Sequence, residues 1–383
     1  MTPLPKGFRA HVGNIGIKDA SPDFVVIASD RPAAAAGLFT KSRFAGPSVH
    51  VSRAAVANGT LRAFAVISKN ANVATGPEGY ANAVEVATKL AGVIDADPTD
   101  VVVASTGVIG RPYPIDRIRR HLATLQWPFA LEDAEPCAAA IMTTDTRPKL
   151  AWGWVGKARV VGIAKGVGMI EPDMATLITL FVTDAAVQNP ALATIFRRVI
   201  DQTFNAVSID TDTSTSDTAA IMANGATGPV DVARFEEALH DVALDLTKMI
   251  ARDGEGATKL LEVRVDRARD DQQARRVAKA IVNSPLVKTA VHGADPNWGR
   301  VAMAIGKCSN DVDIDPLRVV IRFGTLEVYP RPLEAEGLDA LSRYLHGEEV
   351  LIHASLGLAE GSFTAYGCDL SAEYVRINAD YTT

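Results

Sequence analysis

The sequence predicts a two-part α/β protein: a layered α/β body followed by a smaller α+β lobe. Three observations carry this expectation. Short, almost wholly apolar runs alternate with amphipathic helical segments over roughly the first 260 residues. Beyond about residue 260 the texture changes to strands that alternate apolar and polar side chains. The length, 383 residues, exceeds what one small core can organise.

Ala63-Phe64-Ala65-Val66-Ile67 is a short apolar run of the kind that forms a buried strand, and it runs into the polar Ser68-Lys69-Asn70-Ala71-Asn72. Ala83, Ala87, Leu90 and Ile94 then fall on one helical face. Val101 to Ala104 predicts another buried strand, ending in Thr106-Gly107-Val108-Ile109-Gly110. Residues 160–163 and 177–182 predict two more, and the apolar continuity of the second implies cover on both faces. Leu192, Ile195, Phe196, Val199 and Thr203 mark an amphipathic helix, and Phe235, Ala238, Leu239, Val242, Leu246, Met249 and Ile250 a longer one. In the second part, Leu261-Glu262-Val263-Arg264-Val265 alternates as a half-exposed strand does, and residues 272–282 predict a helix. Residues 319–323 and 326–329 flank Gly324-Thr325 as a hairpin.

Composition excludes several function classes. The net charge is −6, from 39 basic and 45 acidic residues, which argues against nucleic acid or an anionic membrane as partner. No apolar stretch reaches the roughly 18 residues of a membrane span, and the first residues, Met1 to Lys6, show no apolar signal region. Cys137, Cys308 and Cys368 are odd in number and far apart, the pattern of reduced cytoplasmic thiols. The seven histidines lack metal-ligand spacing, so neither a metal nor a cofactor is expected.

The segment that carries chemistry is Lys165-Gly166-Val167-Gly168-Met169-Ile170-Glu171-Pro172-Asp173-Met174-Ala175-Thr176, directly before an apolar strand. A threonine hydroxyl needs a base to become a nucleophile. If the bond before Thr176 is cut, the freed α-amine, with a reference pKa of roughly 7.7–8.0, can be that base. Taken alone, the segment reads rather as a glycine-rich connector between strands, since Gly-x-Gly is a weak signal and Ala-Thr is common. A phosphate-cradling loop fits less well, because a strand rather than a helix follows Pro172. Asp210 to Asp217 has the acidic spacing of a calcium loop, but its sixth position is Thr215 and its twelfth Ile221, so a hydroxyl-rich connector is expected. Asn70, Asn72 and Asn297 are expected to be structural turn residues.

The segment resembles the self-cleavage motif of the ornithine acetyltransferase (glutamate N-acetyltransferase) family. The resemblance continues in order through Gly37-Leu38-Phe39-Thr40, Ser105 to Gly110, Ala140-Ile141-Met142-Thr143-Thr144-Asp145-Thr146, Asp212-Thr213-Ser214-Thr215, Arg252 to Ala257, Asp295 to Arg300 and Asn378 to Thr383. It implies an N-terminal-nucleophile-like layered α/β sandwich, of the aminopeptidase and ornithine acetyltransferase type. It implies cleavage between Ala175 and Thr176 into chains of residues 1–175 and 176–383, which stay together as an α2β2 assembly. It also implies ping-pong transfer of acetyl from N-acetylornithine to glutamate through acetyl-Thr176. The family's oxyanion donors fall on Thr106 and Gly107, and its substrate contacts on Thr143, Lys165, Thr176, Glu255, Asn378 and Thr383. Lys165 suits a carboxylate and Glu255 an amine, although in isolation both read as solvated surface charges. For Thr383 to take part, the tail must fold back to the site.

Members of the arginine pathway carry Asn-Ser-Gly-Asn-Ala-Asn where this chain has Ile67-Ser68-Lys69-Asn70-Ala71-Asn72, and Ala-Ala-Pro-Val where it has Ala45-Gly46-Pro47-Ser48-Val49. The combination of Arg43 to Val49, Lys69 to Gly76 and Ser208 to Asp212 is similar to a paralogue that accompanies clavulanic-acid-type secondary metabolism. The expected donor is accordingly N-acetylornithine rather than acetyl-CoA. The alternatives are an amidohydrolase or aminopeptidase that passes the acyl group to water, an acyltransferase with a different acyl group, and an uncut ligand-binding protein. The two structural parts are expected at residues 1–260 and 261–383.

Overall fold

In the computed structural model, which describes residues 1–171, 177–331 and 333–380, the chain divides into two compact units. The first comprises Met1–Asn205 and Thr213–Leu246; the second comprises Ala206–Asp212 and the described residues from Thr247 on.

The first unit contains, in order, β1 (Phe8–Gly13), β2 (Phe24–Phe39), α1 (Pro47–Ala55), β3 (Thr60–Asn70), α2 (Gly76–Ile94), β4 (Val101–Val108), α3 (Ile115–Leu122), α4 (Glu135–Ala140), β5 (Lys149–Val155), β6 (Ala158–Lys165), β7 (Ile178–Ala186), α5 (Ala191–Gln202) and β8 (Thr218–Pro229). Helix α6 (Val232–Arg252) carries the chain on into the second unit. The strands run β4-β3-β2-β8-β7-β6-β5, with β1 also on β2.

Strand β2 explains how eight strands make two layers. Its first half pairs with β1 and β3; its register then breaks between Ala28 and Ala33, where Asp30, Arg31 and Pro32 are exposed. Its second half pairs with β8. One core lies between the layers, with Val25, Ile27, Phe64, Val66 and Val102 from one side and Val161, Ile163, Ile178, Leu180 and Met222 from the other. Period-two alternation sends Phe24, Val26, Ala65 and Val103 outward onto Val86, Leu90 and Ile94 of α2 and Ile118 of α3. On the opposite outside, Phe181 packs edge-on against Phe196 of α5 and Phe204. A Cβ at Gly162 would meet Leu246 of α6 at 2.8 Å, so that helix also lies tight on the sheet. The result is a helix–sheet–sheet–helix sandwich. At the β4 edge, Ser52 of α1 donates to the Val103 carbonyl at 2.7 Å and accepts its N–H at 2.8 Å, closing two backbone groups an edge strand would leave open.

The second unit contains β9 (Leu260–Ala268), α7 (Asp271–Val282), α8 (Pro285–His292), α9 (Trp298–Gly306), β10 (Val320–Phe323), β11 (Leu326–Tyr329), α10 (Ala335–Leu345), β12 (Glu349–Ser355), β13 (Gly361–Cys368) and α11 (Ala372–Asp380). Its five strands run β11-β10-β12-β9-β13, with β9 and β12 parallel and the other pairs antiparallel. Val277, Ile281, Val301, Ile305 and Leu341 pack on Val263, Val265, Ile321 and Ile352. The apolar runs at 63–67, 101–104, 160–163 and 177–182 are strands β3, β4, β6 and β7, and β7 is buried along both faces except at its last residue. The helices around residues 83–94, 192–203, 235–250 and 272–282 and the hairpin at 319–329 stand where the patterns put them. Among the described residues, no helix is long and apolar enough to cross a membrane.

Phe181 is fully buried between two aromatic rings. Phe181→Ala is expected to destabilise the protein by about 3–5 kcal/mol, read from urea unfolding as a lower midpoint at unchanged slope.

Candidate active site

The site elements of the first unit meet at a cluster of strand ends. Strands β3 and β4 are parallel, with Ser68 opposite Thr106 and Lys69 opposite Gly107. The register slips there, so Asn70 pairs with both Thr106 and Val108. Gly107 has φ +130, and a Cβ on it would lie 2.2 Å from the Lys69 carbonyl carbon. Only glycine fits this approach of one backbone to another. Lys69 itself has φ +70, in the left-handed region. That conformation costs a non-glycine residue roughly 1–2 kcal/mol. Behind the loop, Ser48 bonds Ser105 at 2.7 Å and the Tyr113 hydroxyl at 2.9 Å, and Ser105 also bonds Tyr113. Burial raises the Tyr113 pKa, which keeps this brace neutral.

Lys165 ends β6, and its Nζ donates to Thr106 Oγ1 at 3.2 Å. Having accepted from an ammonium, the Thr106 hydroxyl has its own proton free to donate elsewhere. Lys165 is therefore not the solvated surface charge that its sequence context alone suggests. Desolvation lowers its pKa, Lys149 and Lys69 push the same way, and Asp145 and Asp217 oppose them.

Asp145 is the joint of the cluster. It accepts from Lys149 Nζ at 2.7 Å, from the Gly166 N–H at 2.8 Å and from the Thr143 N–H at 2.9 Å. Burial alone would raise its pKa, but Lys165, Lys149 and the Thr143 N–H outweigh burial and hold it below the usual carboxylate range. Thr143 and Lys165 are thus fixed to each other through one carboxylate. The signal for this pair was an acid and a base four residues apart around Thr146-Arg147-Pro148; Lys149 opens a strand yet is wholly buried.

Ala175 and Thr176 lie outside the described residues, but both flanks of their segment are placed. Ile170 bridges Thr213, whose hydroxyl donates to the Glu171 carbonyl at 3.1 Å. The Leu177 carbonyl accepts the Thr218 N–H at 2.9 Å. The hydroxyl-rich stretch before β8 therefore bonds neighbouring backbone, as expected of it. The same stretch brings Asp217, which the sequence reading weighed only as part of a calcium pattern. It is fully buried, and neither carboxyl oxygen has a hydrogen-bond partner within 3.5 Å among the described residues. Burial raises its pKa well above the carboxylate range, against opposing contributions from Ser214, Lys165 and Thr40.

The second unit places two more of the expected residues together. Asn378 on α11 donates to Glu255 Oε2 at 2.9 Å and to the Tyr374 carbonyl at 3.0 Å. Gly256 has φ +70, and a Cβ on it would meet the Tyr374 nitrogen at 2.4 Å, so the helix packs directly on the Glu255 loop. Burial, with the Asp210 and Glu255 carboxylates, pushes Tyr374 up to about 12. Thr383 lies outside the described residues. Asn72 is a turn residue: φ is +50, its side chain donates to the Gly79 carbonyl at 2.9 Å and accepts from Thr75 at 2.9 Å. Among the described residues, no group of three or more metal-ligating side chains converges.

Comparison with known proteins gives the following. A model described as the ArgJ family matches residues 9–383. Glutamate N-acetyltransferase Oat2 of Streptomyces clavuligerus is 57% identical over 385 residues, covering 99% of this chain and 98% of its own. Arginine biosynthesis bifunctional protein ArgJ of Thermus thermophilus is 46% identical, covering 99% of each chain. A crystal structure of arginine biosynthesis bifunctional protein argJ from Bacillus halodurans is 39% identical, covering 52% of this chain and 96% of that one, with a TM-score of 0.48.

The raised pKa of Asp217 has a thermodynamic sign. Below about pH 4 the carboxyl is protonated in both folded and unfolded states and has no net effect. Above that, the unfolded chain ionises while the folded one holds its proton, so stability falls as pH rises. Asp217→Asn, which stays neutral, is expected to melt above the wild type at pH 8, with the gain shrinking toward pH 5. Thermal melts across that range check it.

Proposed function

The chain belongs to the ArgJ family, and from that premise we propose that it is a self-processing glutamate N-acetyltransferase that moves acetyl from N-acetyl-L-ornithine to L-glutamate through acetyl-Thr176. The observation that carries the reading is the Thr106–Lys165–Asp145 cluster. It presents a polarised hydroxyl beside Gly107 at the strand ends, in the unit that also holds both flanks of residues 172–176.

In the proposed cycle, the Thr176 hydroxyl attacks the Ala175 carbonyl and the peptide C–N bond breaks, which leaves an ester at the Thr176 side chain and a free Thr176 amine; water then hydrolyses the ester to release the Ala175 carboxylate and restore the Thr176 hydroxyl. That amine then takes the hydroxyl proton as Thr176 attacks the acetyl carbon of N-acetylornithine. The negative charge on the tetrahedral oxygen is met by the Thr106 O–H and the Gly107 N–H, each such donor typically contributing about 10²–10³ in rate. The amine of ornithine takes the proton and leaves. Glutamate's amine attacks acetyl-Thr176 by the same route in reverse. Thr143 and Lys165 contact substrate in this reading, as do Glu255 and Asn378, with Thr383 closing the set. The support for Glu255 as an amine partner is its bond to Asn378, which orients the carboxylate.

The two cleaved chains would remain together, as an α2β2 assembly in the cytoplasm. N-acetylornithine rather than acetyl-CoA would be the donor, with the blocks at Ala45–Val49 and Lys69–Gly76 as the ground for placing the protein with the secondary-metabolism paralogue.

Intact mass of the purified protein is expected to show two species, residues 1–175 and 176–383. Thr176→Ala is expected to give one uncut species and no acetyl transfer to glutamate. An uncut wild type that transfers acetyl would contradict the nucleophile assignment.

A further inference from the structure

The same strand ends that carry Thr106 border a cleft of about 880 Å³, whose lining includes Lys18, Lys69, Asn70, Arg111, Met142 and Thr143. Three basic residues line it, and Asp19, on the exposed rim, is the one carboxylate among its described lining residues. The Lys18 ammonium is held by the carbonyls of Pro22 at 2.9 Å and Ala140 at 3.0 Å, which orient it without neutralising it. The nearby Asp23 carboxylate is itself taken up by the N–H groups of Ile15, Ile17 and Lys18. Among the described residues, the side chains of Lys69 and Arg111 have no ion pair or hydrogen bond. Charges of one sign concentrated in a cleft, two of them unpaired, make a site for an anion.

Lys69 adds a second, independent observation. Its backbone sits at φ +70, a conformation suited to glycine, directly opposite Gly107. Glycine would hold this turn without strain. A long cationic side chain kept at such a position points to a use for the side chain itself.

We propose that Lys69, with Arg111 and Lys18, forms a specificity subsite that takes the side-chain carboxylate of a dicarboxylic amino-acid acceptor. This rests on the acetyl-transfer reading for its context, and it adds the acceptor's distal end to that site. The subsite discriminates between the two amine substrates of the exchange. A carboxylate-bearing side chain enters an electropositive cleft, whereas the distal ammonium of ornithine is repelled from it. An α-carboxylate is common to both substrates and to neutral analogues, so it cannot give this discrimination.

The test is calorimetric binding of L-glutamate and of its neutral isostere L-glutamine, with no acetyl donor present, to wild type, Lys69→Gly and Arg111→Gln. Wild type is expected to prefer glutamate by about tenfold or more, the discrimination of one charge-assisted contact. Each variant is expected to lower that preference. Lys69→Gly should melt no lower than wild type, because glycine relaxes the backbone, so a lost preference cannot be ascribed to unfolding. Equal binding of the two amino acids by wild type, or a preference unchanged in both variants, overturns the proposal. Because no turnover is involved, a wild type that binds glutamate selectively but transfers no acetyl group contradicts the proposed function and leaves the subsite standing.

Discussion

The buried carboxylate of Asp145 is the contact on which the site in the first unit depends. It is satisfied by an ammonium on β5 and by the N–H groups of Gly166 and Thr143, so it ties three separate stretches of chain to one point. Both members of the Lys149–Asp145 pair are wholly enclosed. Removing one partner of such a pair typically costs about 3–5 kcal/mol, since the other charge is left buried alone. That penalty is what makes the arrangement rigid. Lys165 leaves β6 immediately before Gly166, so fixing the Gly166 N–H also fixes where the Lys165 ammonium meets Thr106.

Around this joint, charge is arranged unevenly. Lys18, Lys69, Lys149 and Lys165 repel one another, and the carboxylates that oppose them are few and enclosed. Burial raises the Asp217 pKa well above the carboxylate range, which weakens its part as a counter-charge. The strand ends are therefore left electropositive, in a region where water screens poorly. Such a field suits substrates with carboxylates and an intermediate with an oxyanion, and both features follow from which side chains the layers bury. The backbone contact between Lys69 and Gly107 brings the Thr106–Gly107 loop and the basic cleft together.

Much of this was legible in the sequence where local physics is strong. Continuous apolar runs gave away β3, β4, β6 and β7, and 3.6-residue periodicity gave α2, α5, α6 and α7. The long β2 was not legible. Its second half, Ala33-Ala34-Ala35-Ala36-Gly37, lacks the branched and aromatic side chains that mark strands, and β8 is equally rich in alanine and glycine. Thr106, Gly107, Thr143, Lys165, Glu255 and Asn378 were named through family resemblance, and the structure pairs Lys165 with Thr106 and Glu255 with Asn378. Asp217 and Lys69 escaped notice as individual actors because their distinguishing properties are burial without a hydrogen-bond partner among the described residues and a left-handed backbone. The first property has no signature in residue type or spacing, and the second shows only as lysine where members of the arginine pathway carry glycine.

The most direct test of the account is to incubate the wild-type protein with N-acetylornithine in the absence of glutamate, quench it, and sequence the peptide that begins at Thr176 by mass spectrometry. The account predicts one acetyl group on the Thr176 side chain, removed when glutamate is added before the quench, with acetyl-CoA giving no comparable labelling. An unmodified Thr176 under conditions that support turnover, or an acetyl group carried by another residue, would contradict it.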